Sequence, residues 1–414
     1  MKLKTTIFFC AALLGAQGVF AQKVTDKDIS VEYKRLPLEP LPMFNYKSRV
    51  ELAYLADNAA KKAEHEQQVR DAEAKYELEM KEWQLLENEA EAKYQKELEE
   101  WNKKSAAQKL IDKKILEEGK PVKQSPPRPY KNLPQSPNLK KEYDTSLLTS
   151  SYLKLDGFKD ANDNAVIVTA QLHGFDVIPP ILKTSQRSVI SNGQASPVTY
   201  CYYETSYKHP MTIKVEVPGK GVVFNQAIEE FNTYTVAKTA ETKGTSQAMN
   251  TESYLTTLED KVLADNLKVV TDLLNTKFGY TKMTHEAVLY NVEPKKLNYD
   301  DYQSAYENAM MGYTMMADNK AGATEKIKTA IGIWEKALTE SNLSDKKARV
   351  NAEITLATRF NLAEAYTWID DYTNAELQLV KITTLDPSRK ERKYAENLEA
   401  FIKDQKVRYK ANKK

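Results

Sequence analysis

The sequence predicts a multidomain α+β protein: a small β-sandwich with a long inserted charged helix or helical hairpin, followed by a C-terminal α-helical domain. Three changes of pattern along the chain lead to this prediction. Residues 50–120 are charged and have helical periodicity, residues 145–240 alternate as strands do, and residues 299–414 return to helical periodicity. Because apolar residues recur every three to four positions in a helix and every two in a strand, the three stretches form different structures.

Residues 1–21 have the pattern of a signal peptide. Two lysines, Lys2 and Lys4, precede an apolar run, and Ala21 lies where a signal peptidase would cleave. The apolar run is shorter than the roughly 20 residues that a membrane-spanning helix needs, and no later stretch is long enough. We therefore expect an exported, periplasmic protein with no transmembrane span after cleavage. Peripheral association with the outer membrane is left open.

Composition excludes some classes of partner. The chain has 60 basic and 58 acidic residues and a formal net charge of +2, so we expect no nucleic acid partner. Removal of the signal peptide would leave Cys201 as the single cysteine. An internal disulfide is then impossible, and we expect this cysteine to be a small buried side chain in a strand.

Residues 22–49 are predicted to contribute an N-terminal strand to the β domain. Ile29 to Leu36 alternates apolar and polar residues, as a half-buried strand does. In this arrangement the charged helix is an insertion that projects from the sandwich, and the proline-rich stretch after it forms the return leg. We prefer this arrangement to the alternative of a separate N-terminal domain.

The charged helix at residues 50–120 contains a repeated segment. The sequence Ala-Glu-Ala-Lys-Tyr ends at Tyr76 and again 18 residues later at Tyr94, and each copy is followed by a tryptophan, Trp83 or Trp101. Eighteen residues make five helical turns, so the four aromatic side chains lie on one face. They are candidate protein-binding residues, with three alternatives: packing on the same molecule, self-association through the long helix, or contact with a foreign partner.

The middle of the chain changes from linker to strands and back to helix. Residues 121–144 are predicted to be a linker, because the six prolines in this stretch remove the donors that helices and sheets need. Short runs of alternating residues predict the β-sandwich at residues 145–240. Residues 241–298 are predicted to hold a helix and a linker.

The C-terminal domain carries a repeat motif. Within residues 299–414, five residues fall at the spacing of a tetratricopeptide repeat (Leu362, Ala363, Tyr366, Ala375 and Pro387). This domain resembles tetratricopeptide-repeat (TPR) proteins, and the stretch before the motif looks like an irregular copy. The resemblance implies a helical array whose concave surface binds a protein, with Leu362 and Tyr366 as candidate protein-binding residues. The whole chain resembles exported envelope proteins of Gram-negative Bacteroidota.

No catalytic, cofactor-binding or metal site is predicted. The four histidines are scattered without metal-ligand spacing, and the sequence has no glycine-rich phosphate loop. Asp160, Asn162 and Asn164 alternate as the first ligands of a calcium loop do, but Ala165 and Gln171 occupy the positions that need glycine and glutamate. A polar turn explains these residues just as well.

The predicted function is binding without catalysis. The first hypothesis is an exported scaffold or accessory protein that mediates protein–protein interactions in the cell envelope, as part of an outer-membrane-associated complex. The alternative is a glycan- or peptidoglycan-binding module, motivated by four tyrosines in the β domain (Tyr200, Tyr202, Tyr203 and Tyr207). Such a module needs tyrosine rings in solvent on one face of a sheet, and alternate residues of a strand share a face.

Overall fold

The structure is a computed structural model that describes residues 23–109, 120–191, 194–244, 248–294 and 297–413. These residues form a mixed α+β protein with several sheets and a C-terminal helical region, built around two separate hydrophobic cores. The predicted signal peptide lies outside the described residues, as do residues 110–119 of the predicted insertion.

Strands and helices are interspersed up to residue 293, and the described elements after that residue are helices. The strands are β1 (Lys23–Lys34), β2 (Asn45–Leu52), β3 (Lys159–Asp160), β4 (Val166–Leu172), β5 (Asp176–Val177), β6 (Ile181–Ser191), β7 (Gln194–Lys208), β8 (Met211–Val217), β9 (Gly221–Ala227), β10 (Thr235–Lys238), β11 (Thr242–Lys243) and β12 (Lys282–Glu293). The helices are α1 (Leu55–Lys103), α2 (Thr145–Tyr152), α3 (Glu229–Asn232), α4 (Thr251–Lys277), α5 (Asp300–Met315), α6 (Lys320–Leu338), α7 (Ala352–Trp368), α8 (Tyr372–Thr383) and α9 (Arg389–Asn412).

β1 and β12 are far apart in the sequence and form a two-stranded antiparallel ribbon. The strands pair without interruption from Lys23–Glu293 to Lys34–Lys282. The prediction that residues 22–49 join the sheet of the β domain is therefore wrong for β1, and only β2 lies in that sheet. Alternation of apolar residues identified the buried face of β1 but not its partner, because many strands can complete the same face.

The ribbon packs on the C-terminal helices. The two buried side chains of β1, Val31 and Tyr33, belong to the same core as helices α5 to α9. The ribbon lies on α5 and α7 and on two side chains of α9, Tyr394 and Phe401. Helices α6 and α8 form a second layer on the far side of α5 and α7.

The second core lies under a five-stranded central sheet in the order β3-β2-β4-β8-β9. Strand β2 runs parallel to β3 and β4, whereas β4, β8 and β9 are antiparallel neighbours. The inward side chains of β8 alternate with outward ones and pack with apolar residues of α4 (Leu263, Leu267, Val270 and Leu274). A helix thus covers this sheet, and the predicted sandwich of two facing sheets is not confirmed.

The other strands gather around β7. Strands β5 and β6 pair with one edge of β7, and β10 and β11 pair with its other edge. No side chain of this β7 sheet belongs to either of the two cores. The central sheet and the helix α4 that covers it are called the central body below. The β7 sheet is therefore an appendage of this central body, and it carries the four tyrosines of the alternative hypothesis.

Arg408 of α9 joins the two cores. Its side chain is 3% exposed, and its guanidinium donates to the carbonyl oxygens of Leu36 and Thr276 at 2.8 and 3.0 Å. These carbonyls lie where the chain enters and leaves the central body. A buried guanidinium needs such partners, since an unpaired buried charge is strongly destabilising.

Candidate functional site

Helix α1 and residues 120–144 together form an arm. The helix has 49 residues, and within the described residues no other helix or strand packs along it. Its partner is the proline-rich segment, which runs back along it. Lys123 contacts Glu91 at 2.7 Å near the far end, and Lys140 exchanges two hydrogen bonds with Asn58 at the base.

The two sides of the arm match in length. From Asn58 to Glu91 the helix rises about 50 Å at 1.5 Å per residue. From Lys123 to Lys140 an extended polyproline chain rises about 53 Å at 3.1 Å per residue. The predicted linker is thus a second side of the arm, and proline suits this role because it needs no backbone donor.

Trp83 of the aromatic stripe faces the proline-rich segment. Trp83 donates its indole N–H to the carbonyl oxygen of Pro126 at 3.0 Å, and the guanidinium of Arg128 lies 5.8 Å from the Trp83 ring centre. All four predicted aromatic residues are half-buried (Tyr76, Trp83, Tyr94 and Trp101). Of the three alternatives, packing on the same molecule accounts for the contacts of Trp83.

Three leucines in the middle of α1 are exposed. Leu78, Leu85 and Leu86 are 61%, 65% and 53% exposed. Leu85 follows Trp83 by two residues, about 200° around the helix, so it lies on the side opposite to the proline-rich segment. The middle of the arm therefore presents apolar side chains to solvent.

The ribbon covers the face of the C-terminal helices that carries Asn361 and Tyr394. Asn361 of α7 accepts from the backbone N–H of Tyr290 and donates to the carbonyl oxygen of the same residue, both at 2.8 Å. The Tyr394 hydroxyl of α9 accepts from the backbone N–H of Val288 at 2.9 Å. The helices thus hold the backbone of β12 as they would hold an extended peptide.

Neither predicted binding residue of this domain reaches solvent. Leu362 is 0% and Tyr366 is 5% exposed, and the Tyr366 hydroxyl donates to Glu335. Both side chains belong to the core between the helix layers and the ribbon. Their interpretation as protein-binding residues is therefore corrected: the repeat spacing marks packing positions, and here those positions pack within the chain.

A buried polar cluster lies between the ribbon and the helices. Glu364 of α7 is fully buried, accepts from the Tyr394 hydroxyl at 2.5 Å, and lies 3.1 Å from Nε2 of His285 on β12. The His285 ring stacks on Phe401 with ring centres 3.8 Å apart. Burial, together with the charge of Glu364, raises the pKa of Tyr394 well above its ordinary value.

This cluster holds elements together and offers no approach for a substrate. A carboxylate beside a histidine and a tyrosine has the composition of an acid–base site, but Glu364 has no contact with solvent. Because the four histidines lack metal-ligand spacing, the sequence predicts no role for His285. No local signal could have found the cluster, because His285 and Glu364 are 79 residues apart.

The tyrosines of β7 do not form an open platform. Tyr200 and Tyr202 share the outward face, and all four tyrosines are half-buried. The Arg187 guanidinium lies 5.3 Å from the Tyr200 ring centre, and the Lys238 ammonium lies 5.3 Å from that of Tyr202. A cation thus already lies over one face of each of these two rings, where a sugar could otherwise stack.

Other chemistry is sparse in the part of the chain that the structure describes. No group of three or more histidine, cysteine, aspartate or glutamate side chains there could hold a metal ion. Cys201 is buried, and its thiol donates to the carbonyl oxygen of Gly244 at 2.9 Å. Among the described helices, none has the length and apolarity to cross a bilayer.

Comparison with known proteins identifies no relative. No protein-family model, curated protein or solved structure matches this chain. Its function is therefore inferred from its own residues and their geometry.

Proposed function

We propose that this protein is a non-enzymatic scaffold or accessory protein that mediates protein–protein interactions in the cell envelope. The arm is the observation that carries the proposal. About 50 Å of helix and extended chain are ordered along each other, at a cost in conformational entropy, without adding to either core. An arm of this length serves to reach a partner, and Leu78, Leu85 and Leu86 are its apolar contact points.

In this proposal α5 to α9 form a TPR-like array. The layering of α5, α7 and α9 against α6 and α8 supports it, as do the buried small residues Ala363 and Ala375 between packed helices. The ribbon then occupies the face that such an array usually offers to a partner. The binding role therefore falls to the arm, with self-association through α1 as one form that it could take.

The proposed location is the periplasm, in a complex associated with the outer membrane of a Gram-negative bacterium of the Bacteroidota type. Its support is the signal-peptide pattern of residues 1–21. The glycan- or peptidoglycan-binding alternative has less support, because Arg187 and Lys238 cover the outward tyrosines of β7.

Site-specific photo-crosslinking in cells tests the arm. A photoreactive residue at Leu85 is compared with one at Val380 on α8, which is similarly exposed at 62%. We expect Leu85 to capture one envelope protein in stoichiometric amount and Val380 to capture none. Capture of the same proteins from both positions, or of nothing from Leu85, would contradict the scaffold role of the arm.

A further inference from the structure

The outer edge of β1 carries free backbone groups. On β12, the N–H groups of Val288 and Tyr290 bond to helix side chains and not to β1. The residues opposite them, Asp28 and Asp26, therefore sit in non-hydrogen-bonded pairs and direct their own N–H and C=O groups away from β12.

The same row continues along the strand. Because the pattern has a period of two, Ser30 and Glu32 also direct their backbone groups outward. In the described part of the chain the outward N–H of Asp26 bonds to its own carboxylate, and no other residue bonds to the N–H and C=O groups of this row. The side chains from Asp26 to Glu32 in this row are exposed. The row is thus open to a further strand.

β1 lacks most of the features that usually protect an edge strand. It has 12 residues, no proline, and an uninterrupted register with β12, whereas protected edges are short, bulged, covered or charged, and β1 has only the charges. The edge strand β9, by comparison, is bulged at Val223, because Val215 and Glu216 of β8 pair with Phe224 and Val222. A long, regular, uncovered edge is a template for strand addition.

The charges along the edge decide which strand could be added. Asp26, Asp28 and Glu32 present carboxylates on the solvent face, and in the described residues only Asp26 and Glu32 have ion pairs, with Lys390 and Lys282. Two copies of β1 paired about residue 28, 29 or 30 would set carboxylates opposite each other, which is destabilising.

We propose that β1 accepts an extended segment of another protein as a third strand of the ribbon, and that this segment carries lysine or arginine at alternate positions. The basic side chains face Asp26, Asp28 and Glu32, while the backbone pairs with the free row. This contact lies apart from the arm and does not depend on what the arm binds.

Synthetic peptides test the proposal on the purified protein. The probe is an eight-residue peptide of alternating lysine and valine, and a second peptide is identical but N-methylated on the lysine amides, which would point at β1. We expect the first to bind with slower amide hydrogen exchange at residues 26–32, and the second to bind at least tenfold more weakly. Equal binding of both, or no binding of either, overturns the proposal.

Two variants separate strand addition from simple charge attraction. Ser30→Pro removes one outward N–H and leaves the β12 ladder intact, so the fold is kept and peptide affinity falls. Asp26→Lys/Asp28→Lys should weaken binding of the lysine peptide about tenfold. The same charge change on α4, Asp265→Lys/Asp272→Lys, should leave its binding unchanged. Unchanged affinity in either edge variant contradicts the proposal: in Ser30→Pro it would show charge attraction without strand addition, and in Asp26→Lys/Asp28→Lys it would show that the carboxylates do not select the peptide.

The exchange rates of the free protein give a further outcome. We expect fast exchange at the outward amides of residues 26–32 at every protein concentration. Slow exchange that becomes fast on dilution would show that a second copy occupies the edge, and would overturn the assignment to a foreign segment.

Discussion

His209 makes the stability of the central body depend on pH. Its side chain is 1% exposed, and neither ring nitrogen has a hydrogen-bond partner in the described residues. Burial, with a smaller contribution from the charge of Lys140, lowers the pKa of His209 to about 4, against 6.5 for an ordinary histidine. The unfolded chain therefore binds this proton more readily than the folded protein, and the free energy of unfolding falls as the pH drops from 6.5 towards 4.

The size of the loss follows from the two pKa values. His209 lowers the free energy of unfolding by about 2 kcal/mol at pH 5 and by about 3 kcal/mol at pH 4, and it has almost no effect at pH 7. We expect His209→Phe to remove this loss, because a phenyl ring of similar size beside Phe175 binds no proton. At pH 7 the variant should lie within about 1.5 kcal/mol of the wild type, as volume-conserving core exchanges do.

Urea unfolding at pH 7, 5 and 4 measures the effect, followed by circular dichroism and by hydrogen exchange of the β8 amides. His65→Phe on α1 is the control for loss of a histidine elsewhere. The free energy of unfolding of His209→Phe, relative to that of the wild type, should rise by about 2 kcal/mol between pH 7 and pH 5. A difference that stays constant with pH, or an equal shift for His65→Phe, would refute the reasoning.

Three further substitutions test the packing. Asn361→Ala leaves the N–H and C=O of Tyr290 without partners and should cost about 2–3 kcal/mol, with faster exchange of the Tyr290 amide; unchanged exchange would contradict the contact. Leu362→Ala leaves a cavity at a fully buried position and should lower the free energy of unfolding, measured with urea, by about 2–5 kcal/mol. If Leu362 lay on the surface, the same substitution would have almost no effect. Trp83→Phe removes the hydrogen bond to Pro126 and should loosen only the arm, by about 1 kcal/mol; limited proteolysis should cut the proline-rich segment faster, and equal cutting rates would count against the contact.

The helices were largely predictable because their signals are local. The stripe through Trp83 and the small residues around Leu362 recur at helical spacing, so α1 and α7 could be placed from the sequence. The return of the proline-rich segment also has a local cause, since a chain rich in proline cannot pair in a sheet.

The partners of strands and buried polar groups were not predictable from one sequence. Lys23 and Glu293 are 270 residues apart, and alternation says which face of β1 is buried without naming the strand beside it. The same limit applies to Leu362 and Tyr366. A repeat motif identifies packing positions, but it does not say which helix faces are covered by the same chain and which are exposed to a partner. Nothing in the sequence distinguishes Glu364 from other helical glutamates. Its contact with His285 depends on the position of β12 in the fold.

The ribbon makes the central body modular. Arg35 and Thr281 are joined by a backbone hydrogen bond of 2.9 Å, so residues 36–280 leave and re-enter the ribbon at neighbouring points. A short turn could replace all of them and leave β1 and β12 as a simple hairpin on the C-terminal helices. Equally, β1 emerges first during synthesis but finds its partner only after β12 has been made, so the C-terminal domain is completed last although it contains the first described strand.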